Sequence, residues 1–187
     1  MPFAYYHRLS PRDRAIYRRS AAIQRLALPD VEALRPRVAT LEAKLAAGDR
    51  RAVARAATRL LADLADAFDV APVAKVRVLS VRPSDAEGEL HGLYERELDD
   101  SAQITVWMKT AAQARVVAFR TFLRTLLHEL CHHLDYELLD LPDTFHTEGF
   151  FARESDLMRQ LAPAPEAPEP EDPAPEDPTS AQLELPW

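Results

Sequence analysis

The sequence predicts an α+β fold: a helical N-terminal segment over residues 1–70, a small three-stranded sheet packed on a long helix over 71–161, and a tail over 162–187. Three observations carry that reading. Apolar residues recur every three or four positions up to about residue 68, alternate between 75 and 109, and then form a broad stripe between 114 and 139. The pattern of burial therefore changes from helix to strand and back.

Each element has a local justification. In SPRDRAIYRRSAAIQRLAL, Ser10 is a helix N-cap, Pro11 takes the first helical position and Asp13 lies in the first turn, which leaves Ile16, Ile23 and Leu26 on one apolar face. A second helix is expected from Asp30 or Arg35 to Ala47, ended by Gly48, with Leu34, Val38, Leu41 and Leu45 facing inward. A third, capped by Asp49, carries Val53, Leu60, Leu61 and Leu64 toward Phe68. These helices are expected to form a bundle or layer of their own. After Pro72, KVRVLSV, GELHGLYEREL and AQITVWMKT read as strands of an antiparallel or mixed sheet, with SDAEGE and LDDS as turns. Trp107 and Met108 are read as sheet residues facing the helix that follows. That helix is predicted over about 114–139, where Phe119, Phe122, Leu123, Leu126, Leu127, Leu130 and Leu134 make the stripe, and Pro142 breaks it. A last helix is expected from Thr147 to Leu161.

The segment APAPEAPEPEDPAPEDPTSAQ has no apolar period and reads as an extended, disordered tether, yet QLELPW returns to large apolar side chains. Charge follows the same division. Positions 1–60 hold 13 basic and 5 acidic residues, whereas positions 162–187 hold 7 acidic and no basic ones, within a net charge of −7. The overall balance excludes a whole-chain electrostatic grip on nucleic acid and leaves only the basic N-terminal helices as a possible DNA contact, with a solvated helix face as the plainer reading. The single cysteine, Cys131, excludes an intrachain disulfide framework. With no membrane-length apolar run and no signal-peptide pattern at the start, the chain reads as cytoplasmic, with no membrane partner.

Four of the six histidines fall between 128 and 146, and HELCH at 128–132 has the HExxH spacing. On a helix, positions i and i+4 share a side, so His128 and His132 can both reach one Zn2+ ion at about 2.0–2.1 Å. Glu129, one residue round, is placed to take a proton from water activated by the metal and return it to a leaving amine. A catalytic zinc takes a third protein ligand; His146, beyond the Pro142 break, is the leading candidate, with Glu148 and Glu154 as rivals. His133 points about 100° away from His132 and reads as solvated or as a support for a ligand. Asp135 reads as an exposed helix carboxylate or an orienter of a histidine, and Cys131 as a small buried residue. His91 and Tyr136 are candidates for stabilising an oxyanion.

The runs HGLYERELDDSAQITVWMKT, FLRTLLHELCHHLDY and FHTEGFF resemble the SprT-like zinc metallopeptidases over about residues 74–158. The resemblance implies a zincin-type core in which His128, His132 and His146 hold zinc, Glu129 is the general base and Phe150 is the aromatic that follows the third histidine. It departs in having Thr147 after His146, where the family often has glycine, and in showing no cysteine-based zinc ribbon. By similarity to zincins, an extended protein or peptide substrate would add to the strand before the active helix, 104–109 here.

The terminal peptide resembles a bacterial sliding-clamp-binding motif, with Gln182, Leu183, Leu185, Pro186 and Trp187 as its elements. An unstructured leash presenting apolar anchors to a preformed pocket is a physically sensible recruitment device; covering the active-site cleft is another use for the same tail. Enzymes of the Spartan type within the SprT-like group degrade proteins crosslinked to DNA and are recruited by a replication clamp, so the two resemblances imply a related role. The reading from another class is a non-enzymatic adaptor with a structural zinc that binds the clamp or DNA.

Overall fold

The computed structural model describes residues 2–86, 88–97 and 101–163. The expected proline-rich tail and its 182–187 peptide, together with part of the LDDS turn, lie outside the described residues. Within them the chain is α+β: a short 3-10 turn at Ala4–Arg8, then α1 (Pro11–Ala22), α2 (Val31–Ala46), α3 (Arg50–Ala67), β1 (Lys75–Val81), β2 (Ser84–Asp85), β3 (Gly88–Glu89), β4 (Gly92–Arg96), β5 (Ala102–Lys109), α4 (Phe119–Glu137) and α5 (Glu148–Leu161). No described helix is long and apolar enough to cross a membrane.

The caps fall where the side chains dictate. Ser10, Asp30, Asp49 and Thr147 each accept a hydrogen bond from the backbone N–H three residues on, which satisfies one of the donors a helix start leaves free. Gly48 ends the α2 region with a φ of +70°, a left-handed value that glycine adopts without a steric penalty. Two boundaries differ from the sequence reading. Helix α1 stops at Ala22, so Leu26 reaches the core from an extended segment instead of from the helix face shared with Ile16. Helix α4 starts at Phe119, later than expected, because residues 110–117 turn back through a positive-φ Ala114 and pair Val116 with Lys109.

The three-stranded sheet has the order β1-β5-β4, with β1 parallel and β4 antiparallel to the central β5. GELHGLYEREL divides into β3, which pairs with β2 as a separate two-stranded ribbon, and β4. Strand 104–109, expected to meet substrate at an edge, is therefore central and saturated on both sides; among the described residues the antiparallel edge is β4. Register sets Val76, Ile104 and Tyr94 in one row and Val78, Val106 and Gly92 in the next, all on the face that α4 covers. Strand alternation puts Trp107 on the opposite face, so it does not pack on the helix as expected, whereas Met108 joins the core.

The N-terminal helices do not form a layer of their own. Leucines of α2 and α3, valines of β1 and β5, and Leu126, Leu130, Phe150, Leu157 and Leu161 share one continuous apolar core, so no break in packing coincides with residue 70. Helix α3 lies on β1, α2 spans α3 and α5, and α1 lies on α5. The last contact is very close: a Cβ on Gly149 would run into the Ser20 carbonyl oxygen and lie 2.8 Å from Ala21 Cα. Only glycine lets these two helix backbones approach so nearly.

Candidate metal centre

Helix α4 has a simple reason to expose two histidines on one side. Its stripe of Phe122, Leu123, Leu126, Leu127, Leu130 and Leu134 is buried, which turns His128 and His132 toward the rim where β4 and the α4–α5 connection meet. His146, on that connection, completes the group: one nitrogen from each of His128, His132 and His146 lies within 4.8 Å of the others. The Nε2 atom of His146 is 3.0 Å from Nε2 of His128 and 3.0 Å from Nε2 of His132. The three imidazoles sit on Phe150, whose fully buried ring has its centroid 4.9, 4.6 and 5.1 Å from theirs.

The hydrogen-bond partners fix two of the tautomers. His128 Nδ1 is 2.8 Å from Glu154 Oε2, and a carboxylate only accepts, so a hydrogen is on Nδ1, and in the neutral ring, the form a metal ligand takes, Nε2 carries a lone pair. His132 Nδ1 is 2.8 Å from Thr144 Oγ1, whose hydroxyl donates in turn to Asp135 Oδ2 at 2.8 Å. Thr144 has spent its hydrogen, so His132 Nδ1 donates and its Nε2 is also a bare lone pair. His146 can offer a hydrogen to only one of them. At least one close pair of lone pairs is then left facing each other, an arrangement that a cation satisfies and that histidines bonding among themselves do not.

Ionisation agrees with that geometry. Burial, with His128 and His146 nearby, pushes His132 down to about 3, and burial lowers His146 as well, so both stay neutral as ligands must. These donors fit a metal that favours imidazole nitrogen; the donor set alone does not choose among such metals.

The rivals for the third ligand have other partners. Glu154 holds the far nitrogen of His128 and also accepts from Arg124 at 2.6 Å, while Glu148 accepts from the Tyr17 hydroxyl at 2.8 Å. Neither joins the histidine group. Asp135 is fully buried, contrary to the exposed reading, and works on His132 through Thr144; its other oxygen pairs with Arg153 at 2.6 Å. His133 is buried, contrary to the solvated reading. Its Nε2 donates to the Ala71 carbonyl at 2.7 Å, and its Nδ1 accepts from the Tyr94 hydroxyl at 3.3 Å, which ties α4 to β4. Cys131 is buried as expected.

Glu129 lies on the β4 side. A Cβ on Gly92 would collide with its Oε1 and approach Thr125 Cγ2 to 2.8 Å, so the bare strand residue is what admits the carboxylate. Burial raises Glu129 to about 7, against the opposing effects of His128 and the Tyr94 backbone N–H. With His91, Gly92, Arg124, Thr125, His128 and Glu154 it lines a cleft of about 260 Å³. His91 is thus placed at this cleft. Tyr136 instead stacks on Tyr94, which in turn stacks on His132, with ring centroids about 6 Å apart at each step.

Sequence reasoning missed Thr144, Arg153, Gly92 and Tyr94. Arg153 had a readable signal, since helical spacing puts it on the face that carries Phe150 and Leu157. No protein-family model matches the chain, and no curated protein or solved structure matches it. What the centre can do is therefore carried by its own geometry.

Proposed function

We propose that this chain is a zinc-dependent endopeptidase of the SprT-like kind. The observation that carries the reading is the convergence of three imidazole nitrogens, one of them on His128, which lines the same cleft as the buried carboxylate of Glu129. His128, His132 and His146 would hold the ion. When bound there, zinc supplies Lewis acidity toward water and toward a peptide carbonyl.

The remaining work falls to the chain. Glu129, poised near neutrality by burial, takes a proton at its carboxylate from the attacking water and releases it to the departing amine nitrogen. Glu154 and Thr144 hold the imidazoles of His128 and His132 in one tautomer. Strand β4, the antiparallel edge among the described residues, lies beside Glu129, and an extended peptide adding there would bind through main-chain hydrogen bonds with little sequence selectivity. That suits exposed or unfolded protein segments, including those of proteins held on DNA. The basic N-terminal helix lends less to a DNA grip than its composition implies, because Arg14, Arg18 and Arg19 all donate within the chain, to Tyr6 and His7, to Tyr6, and to Leu139 and Asp140.

The discriminating experiment is Glu129→Gln. A peptidase loses cleavage of an unfolded protein substrate while keeping its metal content and thermal stability. Undiminished cleavage by this variant would remove the mechanism, and a purely structural metal would show no cleavage in either form.

A further inference from the structure

The third ligand differs from the other two in what holds it. His128 and His132 are fixed by the backbone of α4, whereas His146 is exposed and sits on the connection 138–147. Ordering such a connection costs conformational entropy of about 1–2 kcal/mol per residue unless something pins it. The pins come from the opposite end of the chain. Tyr5 donates its hydroxyl to the His146 carbonyl at 2.7 Å, and Ser20 Oγ meets Thr147 Oγ1 at 3.0 Å. Arg19 reaches the carbonyls of Leu139 and Asp140, where the backbone has a positive φ. Tyr17 holds Glu148, and its hydroxyl accepts the Phe3 N–H at 3.0 Å. Phe3 meets Phe151 edge-on at 5.8 Å, and Phe151 lies against the His146 ring at 5.7 Å.

We infer that the N-terminal turn and α1 form a working part of the metal centre, and that Tyr5 and Ser20 are positioning residues for the third ligand. They act on His146 through its backbone and its neighbour Thr147, and touch neither the ion position nor the reacting atoms. The inference rests on the reading of the three histidines as a metal site and is independent of whether that site cuts peptides. It also gives the N-terminal segment a task other than contacting DNA.

The test uses the full chain, with Zn2+ affinity measured by competition with a chromophoric chelator and with Co2+ substituted as a spectroscopic probe. Tyr5→Phe keeps the ring that packs on Phe3 and Tyr17 and removes only the bond to His146. Zinc binding is expected to weaken roughly tenfold, the lower end of what loss of a ligand-supporting hydrogen bond costs. The visible Co2+ absorption should change in shape, while the melting temperature of the metal-free chain stays near wild type. Ser20→Ala is expected to add to the loss. If both variants match wild type in affinity and Co2+ spectrum, the inference is overturned and the contacts are merely structural; if wild type itself binds neither metal, the metal reading falls first and takes this inference with it.

Discussion

Helix α4 and the 138–147 connection contribute histidines to one candidate metal centre by opposite means. The helix supplies two histidines whose spacing is set by its own local backbone hydrogen bonds, while the connection supplies one that is pinned by side chains brought from far away. The comparison teaches that a pair of ligands can be local and legible while the third is a property of the whole fold. The supports follow the same division: Glu154 holds one helix ligand from α5, and Thr144, itself on the connection, holds the other.

The largest effects are expected from substituting the three histidines themselves. His132→Ala is expected to abolish binding of equimolar zinc, because His128 is already in the group and His133, held by Ala71 and Tyr94, cannot replace the lost ring. His146→Ala should leave the helix pair able to take zinc weakly at excess metal. Metal content after dialysis, with and without added zinc, separates the two, and equal behaviour would mean that the connection matters as much as the helix.

Next comes Phe150, the fully buried floor under all three rings. Phe150→Ala should cost about 3–5 kcal/mol of stability in denaturant unfolding, the usual range for emptying such a site. It should also loosen the metal site, since rings lose their common support. A cost under about 1 kcal/mol would show that α5 collapses onto the gap.

A smaller effect on the metal belongs to Thr144→Val, which keeps shape and removes the hydroxyl that His132 and Asp135 share. Zinc affinity is expected to fall roughly 10- to 100-fold, and the metal-free chain should lose about 1–3 kcal/mol because the buried Asp135 Oδ2 is left without its donor. Unaltered affinity would mean that packing on Tyr94 and Phe150 alone orients His132.

What the sequence made legible follows from how local each cause is. Ser10, Asp30, Asp49 and Thr147 announce their helices because capping involves residues three apart, and HELCH announces two ligands because one helical turn sets their spacing. The strands were visible by alternation, but their order was not: choosing β5 as the central strand depends on the chain passing β4 before returning between it and β1, which no short window contains. The sequence leaves Asp135 and His133 open between a solvated face and a support for a ligand, because their helical neighbours give no sign that Arg153, Thr144, Ala71 and Tyr94 cover them. A buried charge is legible only when its partner is.

Arg153 has a kinetic consequence. Its guanidinium is fully buried and donates to the carbonyls of Ser20 and Ile23, across 133 and 130 positions, and to Asp135 beside the centre. Contacts of such sequence separation form late, because the loop they close is most of the molecule. During synthesis the HExxH helix would leave the ribosome with two ligands in place, but Asp135 would lack its counter-charge until α5 had emerged and met α1. The support that reaches His132 through Thr144 and Asp135 would thus be complete only once α5 and α1 have met.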